Sequence, residues 1–176
     1  MFFKKKNNYF LVNKIYSKIL IQSRCEFIYK KLGVPDTFDG RFDVLILLTI
    51  IVIYNLSNLN SKGKILAQDL FDYLFKDLDY TLREMGLGDS GVSIKIKHLV
   101  SAYMGRQKSY CESFKSKNFN KLYMHIDNNI FRNSKTKPDK VKKICDYCFL
   151  VIENFENFDK EEFLEGNFLF PSFKIK

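Results

Sequence analysis

Tryptophan is absent from this chain, histidine occurs twice and cysteine four times. Two isolated histidines, His98 and His125, leave little material for a nucleophile held by an oriented base. Cysteines at 25, 111, 145 and 148 are too sparse for the disulfide framework of a small secreted domain, so a reducing compartment is expected. Long apolar runs are also lacking. The longest, Val44 to Tyr54, would make roughly 16 Å of helix, about half a bilayer core. It reads as a buried core helix, with peripheral membrane contact left open. The opening Met1-Phe2-Phe3-Lys4-Lys5-Lys6 has no apolar stretch of the kind a secretory leader needs. Residues 1–24 carry six bases and no acid, a faint transit-peptide pattern. Tyr9, Phe10, Val12, Ile15, Ile19 and Leu20 nevertheless read as the apolar face of a structural helix.

What is present is a chain of 176 residues, 46% hydrophobic, with 18 phenylalanines. A single domain of that size buries roughly 70% of its unfolded surface and needs no disulfide or metal to fold. The net charge of +9 alternates along the chain: +7 over residues 1–33, −4 over 34–91, +10 over 92–143 and −4 over 144–176. Such an excess favours an anionic partner such as RNA, a ribosome or an anionic membrane surface, without choosing among them.

The periodicity is helical almost throughout. Helices are expected over Asn8–Leu32, Arg41–Leu59, Lys64–Met85, Val92–Lys115, Phe119–Phe131 and Pro138–Phe155, with a short one over Asp159–Glu165. The third is the clearest: Leu66, Leu70, Leu74, Leu78 and Leu82, widened by Ala67, Phe71 and Phe75, form one stripe. Gly86 suits its C-terminal cap, and Thr136 suits the cap before Pro138. No internal repeat and no strand pattern appears. The expected class is all-α: an irregular single-domain helical bundle of about six to seven helices. Residues 1–8 read as a basic extension, 9–165 as the helical domain and 166–176 as a Phe-rich tail.

Several constellations invite chemistry. Cys145-Asp146-Tyr147-Cys148 has the spacing of half a zinc site, but no second pair completes it, and it sits inside a helical period. Gly88-Asp89-Ser90-Gly91 echoes the surroundings of a hydrolase serine without a base to activate it. Asp77 and Asp79, two apart on a helix, point to different faces and cannot flank one bond. No catalytic residue, metal or cofactor is assigned. Arg41, Arg83 and Arg106 each flank a glycine-bearing segment, where a guanidinium can tie loop acids and carbonyls together. The available loop acids are Asp36, Asp39 and Asp89. The segment from Val92 to Lys117 carries Lys95, Lys97, Arg106, Lys108, Lys115 and Lys117 with Tyr103 and Tyr110 interleaved, a face suited to RNA.

Two segments carry a family pattern. Gly33-Val34-Pro35-Asp36-Thr37 followed by Gly40-Arg41-Phe42-Asp43 is one. Leu70-Phe71-Asp72, Phe75-Lys76-Asp77-Leu78-Asp79 and Leu82-Arg83-Glu84-Met85-Gly86-Leu87-Gly88-Asp89 form the other. In order, spacing and residue type they resemble the two signatures of the ubiquinol–cytochrome c chaperone family. Ser23-Arg24, Phe27-Ile28-Tyr29, Val92, Lys95, Lys97 and Tyr103-Met104-Gly105-Arg106 extend the likeness over about residues 9–115. Asp43 stands where relatives usually have Glu, Leu48 where they often have His, Ser90 where a larger apolar residue is common, and Met104 where an aromatic is.

The resemblance implies a non-enzymatic helical chaperone for respiratory complex III. Its client would be newly made cytochrome b, with a second assembly factor and the ribosome as further partners and no specific DNA. A bacterial location follows from the likeness to the family's short form: cytoplasmic, peripheral at the inner membrane, the alternative being the matrix face of the mitochondrial inner membrane. The residues expected to organise the loops or touch a partner are Asp36, Thr37, Arg41, Phe42, Asp77, Asp79, Arg83, Glu84, Gly86, Gly88, Asp89, Lys95, Tyr103 and Arg106. Phe38, Phe42, Leu87 or Tyr103 would offer the apolar surface. The competing expectation is a basic helical module that binds RNA or ribosomes.

Overall fold

The computed structural model describes residues 2–132 and 138–173, with side chains from Asn8 onward. Its elements run α1 (Phe2–Ser23), α2 (Glu26–Lys30), α3 (Phe38–Ser57), α4 (Ser61–Glu84), α5 (Asp89–Lys115) and α6 (Phe119–Ile126). A π-turn (Asp127–Phe131), α7 (Pro138–Glu156) and α8 (Lys160–Leu164) complete them. No strand occurs among the described residues, and the class is all-α.

Helix α3 is the centre. It packs against α1, α4, α5, α7 and the π-turn. That explains why Phe42 to Ile53 is buried on every side instead of along one stripe. By length and composition α3 could cross a membrane, yet 83% of that span is buried inside the domain. It is the core helix expected from its apolar run. The leucine stripe of α4 lies where expected, with Leu66, Leu70, Leu74, Leu78 and Leu82 all buried.

Two helix entries share one device. Thr37 caps α3, its Oγ1 accepting from Gly40 N at 3.2 Å, and Asn60 caps α4, its Oδ1 accepting from Gly63 N at 3.0 Å. The chain then doubles back over that first turn. A Cβ on Gly40 would sit 2.0 Å from the Pro35 carbonyl oxygen, and one on Gly63 would sit 2.2 Å from that of Leu56. Glycine is required at both by close approach. The other end of α4 closes as expected. Gly86 (φ +89°) lets its own N–H reach Arg83 O at 2.9 Å and that of Leu87 reach Leu82 O at 3.1 Å.

Two expectations are corrected. The first helix does not continue to Leu32. Ser23 Oγ donates back to Leu20 O, the Tyr29 hydroxyl donates to Ser23 O at 2.6 Å, and Cys25 is extended. The Ser23 carbonyl freed by the break therefore has a side-chain partner. Upstream, α1 runs back through residues 2–8, the segment read as an extension, while Tyr9 and Phe10 are exposed. The fifth helix keeps its expected span, Phe119–Phe131, but its last stretch from Asp127 is a π-turn, closed by Arg132, whose backbone is left-handed (φ 53°). The expected Thr136 cap lies outside the described residues.

The Phe-rich tail docks on the domain. The Lys18 ammonium donates to Phe168 O at 2.6 Å, and the Tyr147 hydroxyl donates to Pro171 O at 2.9 Å. Phe168 is fully buried beside Phe155 and Phe163, and Phe173 stacks on Tyr147 at 3.7 Å. Leu48 lies beneath it, lining with Tyr147 and Phe173 an apolar cavity of only about 10 Å³.

Candidate functional site

The first signature loop is organised by short-range charge. Arg41 donates to the Asp36 carboxylate through Nε at 2.5 Å and Nη2 at 3.1 Å, the fork geometry a carboxylate favours. Its guanidinium also lies 5.2 Å over the Tyr29 ring. Burial pushes the Tyr29 phenol up to about 12. Asp36 and Arg41 are about half exposed, so the pair fixes loop shape more than it stabilises the fold.

The second signature loop follows the same logic. Arg83 donates to Asp79 at 2.6 Å across one helical turn and to Asp89 at the start of α5. It thereby ties the end of α4 to the beginning of the next helix. Both carboxylates raise the Arg83 guanidinium pKa, the Asp79 hydrogen bond first. Gly86 and Gly88 form the connection, Gly88 as the N-cap of α5, and Glu84 is exposed. Asp77 turns the other way, accepting from the Tyr16 hydroxyl at 2.8 Å. Asp77 and Asp79 therefore serve different faces, as their spacing requires.

No hydrogen bond or ion pair joins these two loops among the described residues. Helix α5 links them instead. Asp89 at its start holds Arg83, and Lys95, roughly 9 Å further along the axis, reaches Asp39 at 3.9 Å and the Phe38 ring at 5.4 Å.

The structure adds a group that the sequence did not reveal. Asp43 is fully buried. It accepts from Arg106 Nη2 at 2.8 Å through Oδ1 and from Arg132 Nη2 at 2.9 Å through Oδ2. Burial pushes the Asp43 carboxyl up to about 6, against the pull of the two guanidiniums. Arg132 also lies 3.8 Å from Asp39. One buried acid thus clamps α3, α5 and the end of the π-turn. The nearby Tyr110 hydroxyl accepts from Asn129 Nδ2 at 3.2 Å, which anchors the π-turn a second time. The expected pairing of Arg106 with a loop acid is corrected to this core partner. Arg132 was missed because its partner lies 89 positions away. The available signal was Asp43 itself, an acid on the threshold of the most apolar run.

Two expected contact residues do not offer surface. Phe42 and Tyr103 are both buried, Tyr103 among Phe71 and Phe75 at ring distances of 5.0 and 5.7 Å. Their spacing places them on the inner faces of α3 and α5. Phe38 and Leu87 remain half-buried. Tyr103 and Tyr110 also drop out of the RNA-binding face, since both are in the core, and Arg106 turns inward with them. Cys145 and Cys148 are fully buried one turn apart on α7, with burial pushing the Cys145 thiol up to about 12 and that of Cys148 well up.

The fold has a counterpart among solved proteins. The chain is similar to the structure titled "Crystal structure of the Cbp3 homolog from Brucella abortus". The TM-score is 0.86 and the identity 26%, over 97% of this chain and 93% of that one. No curated protein sequence matches it. A family model described as ubiquinol-cytochrome C chaperone matches residues 30–170. The match reaches well past residue 115, where the recognisable motifs end. Spanning most of the chain and both ion-paired loops, it shows that the chain belongs to the ubiquinol–cytochrome c chaperone family.

Proposed function

We propose that this protein holds newly made cytochrome b during assembly of respiratory complex III, acting by binding and not by catalysis. The observation that carries this reading is the family match across residues 30–170, which encloses both ion-paired loops. Loops fixed by exposed charge pairs are shaped at little cost to stability, which suits a recognition surface on a rigid helical scaffold. Asp36, Arg41, Asp79, Arg83, Glu84, Asp89 and Lys95 supply its polar rim, and the half-buried Phe38 and Leu87 its apolar part. The protein works at the cytoplasmic face of a bacterial inner membrane, where a membrane-inserted client is reached from the side of synthesis.

The test is co-purification of the tagged protein from solubilised membranes of its own cells, with complex III scored in parallel. Enrichment of cytochrome b over other membrane proteins is the expected result. The folded Arg41→Ala/Arg83→Ala double variant is expected to lose both the enrichment and the complex. Ribosomal proteins without cytochrome b would overturn the client. Normal complex III in the folded double variant would overturn the assignment to these loops.

A further inference from the structure

The two loops leave one long surface of the molecule unexplained. On α5, residues 94, 97, 98, 101, 104, 105 and 108 are all exposed. At 3.6 residues per turn they fall within a sector of roughly 120°, running about 21 Å along the axis. The opposite face holds the buried Val92, Leu99, Tyr103 and Tyr110. None of the described residues covers the exposed sector. A Cβ on Gly105 would meet no atom of another element within 4 Å. Glycine in a helix interior costs up to about 1 kcal/mol relative to alanine. Here neither backbone strain nor a neighbour within the fold requires it.

Three properties define the occupant. Ile94 (59% exposed) and Met104 (48%) are two large apolar side chains in water, three turns apart. Lys97, His98 and Lys108 accompany them, and no acid occurs between Ile94 and Lys108. Gly105 and Ser101 form a low floor beside Met104. From these we infer that the exposed face of α5 docks an amphipathic helix of a partner protein that carries acidic side chains.

The floor at Gly105 lets a second helix approach closely, Ile94 and Met104 interdigitate with its apolar positions, and Lys97 and Lys108 pair with its carboxylates. A bilayer fits less well, since its apolar contacts would be two isolated side chains and its middle a depression. Single-stranded RNA fits less well, because this sector exposes no phenylalanine, tyrosine or arginine, and His98 is its only ring for base stacking. A second copy of the same face would set lysine against lysine.

The test uses the full-length protein and two synthetic helical peptides of about 20 residues, one helix length typical of such contacts. Both carry leucine at helical spacing, flanked by glutamate in one and by lysine in the other. Binding is read by fluorescence anisotropy, and folding by thermal melting. The glutamate peptide is expected to bind about tenfold more tightly than the lysine peptide. Lys97→Glu/Lys108→Glu is expected to reverse that order. Gly105→Leu is expected to weaken the glutamate peptide by about tenfold, one 1.4 kcal/mol step, while the melting temperature holds or rises. Equal affinity for the two peptides would overturn the inference. So would an unaltered affinity in Gly105→Leu, or binding to phosphatidylglycerol vesicles or poly(U) in place of the glutamate peptide. None of these readouts involves cytochrome b, so they fail or succeed separately from the client assignment.

Discussion

Charged residues in this protein divide by burial, and the division sets what each substitution does. Arg41 and Arg83 are about half exposed, so alanine at either position should cost no more than about 1 kcal/mol. Equilibrium denaturation with urea checks this and separates a binding defect from a folding defect. Arg106 is different: its side chain is only 13% exposed and its partner Asp43 fully buried. Arg106→Met leaves that carboxylate with Arg132 alone and should cost about 3–5 kcal/mol at pH 7.5.

The penalty should shrink at low pH, and the sign follows from linkage. Asp43 ionises near 3.8 when unfolded and near 6 when folded. Between those values the folded state holds more protons, so the group's contribution to stability is present below pH 3.8 and is lost as pH rises through 6. Removing a guanidinium moves the folded value further up. Urea midpoints of the two proteins should therefore converge from pH 7.5 to pH 4.5. The short-range pairs, Asp36 with Arg41 and Arg83 with Asp89, join residues that the sequence had singled out, though without pairing them, because one loop contains both partners. The Asp43 clamp was not legible in the sequence, since its arginines lie 63 and 89 positions away.

Helix ends show which local signals suffice. Gly86, Pro138 and the α4 leucine stripe marked their structures correctly because each acts through its own neighbours. Where a helix is interrupted or changes geometry through side-chain contacts that periodicity does not encode, local signals missed it. The break at Cys25 relies on the Tyr29 hydroxyl reaching back to Ser23 O, and the π-turn relies on Asn129 and Arg132 reaching Tyr110 and Asp43. The capped turns of α3 and α4 make a prediction at this scale. Gly40→Ala and Gly63→Ala each drive a Cβ into a backbone carbonyl, so each should cost about 1–3 kcal/mol or more. At Gly88 a Cβ would meet nothing, so alanine there should lower the melting temperature less than at Gly40 or Gly63, its penalty limited to the poorer N-cap that alanine makes.

Across the whole molecule, the ends of the chain hold each other. Lys14 of α1 bonds the Glu165 carbonyl at the end of α8, Lys18 bonds the Phe168 carbonyl of the tail, and Gly166 presses on Ile15, where a Cβ would come within 2.8 Å. Phe168→Ala removes a ring buried between α8 and the end of α7 and should cost about 3–5 kcal/mol, measured by thermal or urea unfolding. The basic excess of residues 92–143 is also partly spent inside the fold. Arg106 and Arg132 face Asp43, Lys95 faces Asp39, and Lys121 pairs with Glu112 at 2.8 Å.

The sequence by itself determined the all-α class, the central apolar helix, the main stripes and the two family loops. Helical period and short-range turn chemistry act over a few residues and can be read in order. Tertiary structure alone decided which charges face inward, that the tail docks on the domain, and that α5 turns its aromatics to the core and its lysines outward. Those outcomes depend on which faces meet when distant helices pack, and a carboxylate is buried only where arginines from two other elements arrive to compensate it.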